Sequence, residues 1–428
     1  MDIKIKGGQV LSGEITPSGS KNSAVAVIPA TVLFDKPVKL TNIPDITDVQ
    51  SLIEILSKFG SKIKWDKRIN ELEIDNSKLS FENLDNESLG QMRGTSLLWG
   101  PMLARFGRVN FGQLPGGCTL GFRTLSPHYK AFTDLGVVVT SQNQGVLMDA
   151  KHASSGTVWL SEMSPTATEN IVMFASKLPG VTKIIGAASE PQVQDLCNFL
   201  SSAGVNISGI GSNILTVEGA KSLSAVTHDI LSDHYEITTF MAMAAVTGGE
   251  IKVKNAIPNH FGYINQIFAR FGIEINYDGD TAVVKKGQKI SLKYEESRKL
   301  MIVKAQPWPG LPVDILPLFI PLAIAAQHGH VLFHNWMYEA GLFWTSELTK
   351  LGANIIMGDP HRVIVLAGSK LKGAKMEAPY IIRAVVAMVM ATMVADGESE
   401  ILNADVLYRG HPKFSENLKK LGASIREK

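Results

Sequence analysis

Between Leu114 and Arg123 the sequence reads LPGGCTLGFR, which places Cys118 among three glycines and five residues ahead of an arginine. A thiol in an accessible glycine-rich loop beside a fixed positive charge is set up to titrate and react, because the cation stabilises the thiolate. The other cysteine, Cys197, sits in the helical pattern DLCNFL, where a thiol packs as a small hydrophobe. Two cysteines in 428 residues, with no CxxC spacing, imply neither a disulfide framework nor a zinc site.

A second set of reactive side chains stands at or just before the start of strongly apolar segments. These are Lys21 with Asn22, Arg93, Thr166 with Thr168, Asp233 with Glu236, Asp314, and Arg383. The first turn of a helix carries unpaired N–H groups and a partial positive charge, so hydroxyl and acidic residues there act as caps. Thr166, Thr168 and Glu236 are read that way. Lys21, Arg93 and Arg383 instead oppose the dipole, and that placement points to an anion that binds against them. The net charge is only +2, so bulk electrostatics draws in neither nucleic acid nor an acidic membrane. Any anion site must be built from these few cations.

The elements that hold these residues form a repeat. SLIEILSKFGSKI, HYKAFTDLGVVV, DLCNFLSSAGVNI, INQIFARFGIEI, WTSELTKLGANI and FSENLKKLGASI each read as an amphipathic helix, a glycine and a strand. The glycines (Gly60, Gly136, Gly204, Gly272, Gly352 and Gly422) recur 68 to 80 residues apart. Glycine in this place suits the left-handed residue that ends a helix. Each period also holds a helix that is apolar on nearly every face, such as NSAVAVIPATVLF, EITTFMAMAAVTGG or RAVVAMVMATMVADG, the mark of burial on all sides. In the fifth, ILPLFIPLAIAAQHG, Pro317 and Pro321 are expected to disturb the helix.

Six such units, none able to bury its own apolar face, predict an α/β protein of two domains, each with sheets outside and three apolar helices inside. The expected division is residues 21–230 for the first domain, and 1–20 plus 231–428 for the second. The apolar runs are about a dozen residues, short of the roughly 20 a membrane span needs. The N-terminus lacks a signal-peptide core, so a soluble cytoplasmic protein is expected.

With these pieces assembled the sequence resembles the enolpyruvyl transferases from about residue 2 to its C-terminus. The resemblance is carried by SGSKNSA (18–24), LPGGCTLGFR (114–123), LSDHYEITTF (231–240), PVDI (312–315) and YRG (408–410). It implies a two-domain, inside-out α/β barrel of six βαβαββ-type units, three per domain. The N-terminal strand would belong to the C-terminal half, and the active site would lie in the cleft between the domains.

It also implies transfer of the carboxyvinyl group of phosphoenolpyruvate to a hydroxyl, with release of phosphate. UDP-N-acetylglucosamine is the expected acceptor, which would make this the first committed step of peptidoglycan synthesis. The alternatives are another nucleotide such as uridine monophosphate, or a binding paralogue without catalysis. The resemblance puts Lys21, Arg93, Arg123, Arg383 and Arg409 around phosphoenolpyruvate, a trianion that several arginine forks suit. Cys118 would be the general acid and the target of fosfomycin, and Asp314 the base that takes the acceptor's proton. Asn22, His128, Ser164 and Thr166 complete the expected substrate contacts. No metal, cofactor or obligate protein partner is implied. Glu162 stands where the family usually carries a lysine, Gly341 where it carries an arginine, and RTLSPH (123–128) departs from its usual loop.

Overall fold

The computed structural model describes residues 1–80, 89–90, 92–116, 124–142, 144–294 and 300–428. Cys118 and Arg123 lie outside these residues.

All six amphipathic helices form: Thr47–Lys58, Ser126–Asp134, Pro191–Ser202, Gly262–Arg270, Thr345–Thr349 and Phe414–Lys420. The glycine that closes each has positive φ: 98° at Gly60, 83° at Gly136, 106° at Gly204, 76° at Gly272, 93° at Gly352 and 93° at Gly422. A Cβ is strained in that region, which is why the repeat shows in the glycines.

The apolar segments form the helices Lys21–Ala30, Trp99–Phe106, Pro165–Ala175, His234–Thr247, Phe319–Ala325 and Ile382–Met393. All fourteen residues of His234–Thr247 are buried. Each large apolar side chain so enclosed stabilises the fold by about 1.5–3 kcal/mol. Pro317 acts as expected, since the fifth segment opens as a 3₁₀ turn, Leu316–Leu318, and becomes α-helical only at Phe319; Pro321 instead sits in the first turn of the helix Phe319–Ala325, where its missing N–H removes no helical hydrogen bond.

Two compact units result. One comprises Met1–Ser18 with Ser232–Lys428, and the other lies between Gly19 and Leu231. Each has its own hydrophobic core. Among the described residues, the unit between Gly19 and Leu231 holds three sheets, built around Val38–Thr41, Arg108–Phe111 and Val181–Ile185. The other unit also holds three, built around Ile3–Lys6, Ser12–Ile15 and Met301–Lys304.

The N-terminal strand Ile3–Lys6 lies between the C-terminal strands Glu398–Leu402 and Ile425–Glu427, antiparallel to both. Strand Ser12–Ile15 pairs in parallel with Glu250–Val253, which follows the helix His234–Thr247. In the same way Thr227–Asp229 pairs in parallel with Val38–Thr41, which follows the helix Lys21–Ala30. Each crossing of the chain thus exchanges which strand leads into which buried helix. Among the described residues, no helix is long and apolar enough to cross a membrane.

Candidate active site

In the unit between Gly19 and Leu231, Ser20 caps the helix Lys21–Ala30 by accepting from the Ser23 N–H. Lys21 opens that helix and pairs with Asp48, Nζ to Oδ2 2.6 Å, with both side chains largely covered. Asn22 beside it is half-buried. Arg93 begins the 3₁₀ turn Arg93–Leu98 and donates from Nη2 to the Thr124 carbonyl oxygen at 3.2 Å.

His128, Ser164 and Thr166 come together in this unit although they arise from two elements. The His128 ring is sealed between Trp99, edge-on at 5.6 Å, and Asn170, whose Nδ2 lies 3.1 Å from Nδ1. Its Nε2 lies 3.1 Å from Thr166 Oγ1, which is 3.5 Å from Ser164 Oγ. Burial, helped by the nearby charge of Arg93, lowers the His128 pKa to about 3. The ring is therefore neutral at physiological pH.

The caps differ from expectation. Ser164, not Thr166 or Thr168, caps the helix Pro165–Ala175, and Thr168 Oγ1 instead accepts from the Ala188 N–H at 2.9 Å. Asp233, not Glu236, caps the helix His234–Thr247, accepting from the Tyr235 and Glu236 N–H groups at 2.9 Å each. Glu236 serves a longer-range contact and accepts from the Ser18 N–H at 2.6 Å.

In the other unit Arg383 is buried at the start of the helix Ile382–Met393. Its guanidinium lies 3.7 Å from Asp233 Oδ1 and 4.9 Å from the centre of the Tyr235 ring, and it donates to His411 Nε2. Arginine has no lone pair to offer, so Nε2 of His411 must be the unprotonated nitrogen. The proton on Nδ1 then faces Glu236 Oε1 at 3.4 Å. Burial and Arg383 lower the His411 pKa despite Glu236 and Asp233, and burial raises that of Asp233 despite Arg383. Arg409 ends the 3₁₀ turn Ala404–Arg409 with its guanidinium over the Tyr380 ring at 5.2 Å. Asp314 is half-buried just ahead of the turn Leu316–Leu318.

These contacts correct one argument from sequence. Lys21 and Arg383 do oppose their helix dipoles, but Asp48 and Asp233 already answer them within the chain. Their placement alone does not require a ligand. Glu162 is exposed to solvent. Gly341 is enclosed: a Cβ there would lie 2.1 Å from Asn335 Nδ2. Sequence reasoning missed Asn170, Asp48 and His411, whose partners lie 42, 27 and 28 residues away. Cys197 is fully buried as expected, and burial with the nearby Glu169 pushes its pKa up to about 12.

Solved structures of other proteins share this fold. The enolpyruvyl transferase NikO from Streptomyces tendae superposes with a TM-score of 0.86 at 20% identity, over 99% of this chain and 98% of that one. EPSP synthase from Acinetobacter baumannii gives 0.73 at 16% identity, over 99% of each chain. At these identities the likeness is one of fold.

Sequence carries the relationship further. The sequence model of EPSP synthase (3-phosphoshikimate 1-carboxyvinyltransferase) matches residues 5–418, and the chain belongs to that family. Among its relatives is the UDP-N-acetylglucosamine 1-carboxyvinyltransferase of Borrelia garinii subsp. bavariensis, 38% identical over 423 residues, 99% of this chain and 98% of that one. The protein of the same name from Bradyrhizobium diazoefficiens is 38% identical over 422 residues, 99% of this chain and 97% of its own.

Proposed function

We propose that the protein transfers the enolpyruvyl group of phosphoenolpyruvate to a hydroxyl of UDP-N-acetylglucosamine and releases phosphate. The observation that carries this reading is 38% identity along 99% of the chain to a relative named for that reaction. The same reading makes the cytoplasm the place of action, and the product would enter peptidoglycan synthesis.

The chemistry is an addition followed by an elimination. Asp314 takes the proton of the acceptor hydroxyl as its oxygen attacks C2 of phosphoenolpyruvate, and Cys118 gives a proton to C3, which becomes a methyl group. Loss of a proton from that methyl group then expels phosphate and restores the double bond. Lys21, Arg93, Arg123, Arg383 and Arg409 offset the charge on phosphate and carboxylate, and Asn22, His128, Ser164 and Thr166 serve the acceptor side. A cationic, water-poor site lowers the barrier because charge moves onto the departing phosphate.

The test is phosphate release from phosphoenolpyruvate with UDP-N-acetylglucosamine, uridine monophosphate and shikimate 3-phosphate offered in turn. Release with the first alone is the expected result. Preference for either of the others reassigns the acceptor, and no release with any of them rejects enolpyruvyl transfer.

A further inference from the structure

The direction of every hydrogen bond between Gly100 and Thr166 can be worked out from chemistry that allows one answer. The Gly100 N–H points at Asn170 Oδ1, 2.7 Å away. Asn170 Nδ2 faces the Ser96 carbonyl oxygen at 2.9 Å and His128 Nδ1 at 3.1 Å. Turning the amide over would set oxygen against oxygen at Ser96 and N–H against N–H at Gly100. Its orientation is therefore fixed, and both Nδ2 protons are committed.

The consequence passes to the ring. His128 Nδ1 faces a donor and must be the bare nitrogen, so the single proton of the neutral ring sits on Nε2. That N–H donates to Thr166 Oγ1 at 3.1 Å. The Thr166 hydroxyl, having accepted, must direct its own proton elsewhere. Its neighbour Ser164 Oγ lies at 3.5 Å, long for a hydroxyl pair. Asn170 and His128 are buried, whereas Thr166 is partly exposed. A chain of donors thus begins in the core and ends on the hydroxyl of a partly exposed residue.

We infer that Asn170 and His128 are positioning residues that hold Thr166 as a hydrogen-bond donor to a phosphate oxygen of the nucleotide acceptor. This rests on the functional reading above. A phosphate oxygen only accepts, so a hydroxyl already committed as a donor suits it without reorganisation. Glu162 nearby is exposed and leaves this task to neutral donors.

Three measurements test the inference. NMR of the His128 ring in the free protein at neutral pH reads the tautomer directly; Nε2–H is expected, and Nδ1–H or a doubly protonated ring overturns it. Asn170→Asp, of equal size, puts an acceptor opposite Nδ1, and the ring proton should move there, freeing Nε2 to take the Thr166 proton. In steady-state assays Thr166→Val should raise KM for UDP-N-acetylglucosamine roughly ten- to a hundredfold, the size of a lost charge-assisted hydrogen bond. KM for phosphoenolpyruvate should hold, and Thr166→Ser should restore acceptor affinity. An unchanged acceptor KM in Thr166→Val, or equal rises for both substrates, overturns the inference while leaving the transferase reading intact. Failure of the unmutated protein to bind or use UDP-N-acetylglucosamine overturns both, whatever the tautomer.

Discussion

Glu190 offers a sharp test of the packing where an amphipathic helix meets the buried helix Pro165–Ala175. It precedes Pro191 at the start of the helix Pro191–Ser202, and its Oε2 is sealed from water with no hydrogen-bond partner among the described residues. Burial raises its pKa from the ordinary 4.5 to about 7 against weak opposition from its own and the Ser189 backbone N–H. Nearby Glu169, itself buried, is also raised, first by burial and then by Glu190. A carboxyl that holds its proton more tightly folded than unfolded contributes full stability below its unfolded pKa. That contribution is lost as pH rises from about 4.5 toward about 7. A shift of this size corresponds to roughly 3 kcal/mol.

Glu190→Gln, a neutral stand-in of equal size, should therefore match the parent near pH 4.5 and exceed it by up to roughly 3 kcal/mol at pH 8. Urea unfolding followed by fluorescence at half-unit pH steps would read the difference. Parallel stability–pH curves for the two proteins would show instead that Glu190 is no harder to ionise folded than unfolded.

Three further outcomes are expected. Gly100→Ala places a Cβ 2.2 Å from the Asn170 carbonyl oxygen, forcing two buried helices apart, and should cost about 2–3 kcal/mol in denaturant unfolding. His411→Phe strips the acceptor from buried Arg383 and the donor from Glu236. It should lower kcat/KM for phosphoenolpyruvate by about tenfold or more, with partial recovery in His411→Gln. Finally, native Cys118→Ala should take up no maleimide at neutral pH, because Cys197 is enclosed and its thiol is pushed up to about 12. The denatured variant should take up one equivalent, and labelling of the native variant would contradict the burial of Cys197.

The fold was legible because its repeat is written in residues with one physical meaning. A glycine with positive φ marks each amphipathic helix end, and a segment without a polar face marks each buried helix. The buried polar network was not legible. Asn170, one of several polar residues in the first half of the helix Pro165–Ala175, has no evident role until Gly100, Ser96 and His128 arrive from other elements. The same holds for Lys21, whose carboxylate partner lies in a different helix, so reasoning from the dipole alone assigned it an external anion. Caps failed for a related cause: Ser164 and Thr166 are both plausible by type, and backbone geometry selected Ser164.

The proposed addition turns C3 of phosphoenolpyruvate into a methyl group before phosphate leaves. Proton NMR of a reaction with UDP-N-acetylglucosamine in deuterium oxide tests it most directly. The expected product is an enol ether on the sugar with deuterium in its vinyl methylene, because the methyl group rotates before it loses one of its three hydrogens. A product whose methylene carries no deuterium, or no enol ether at all, would contradict it.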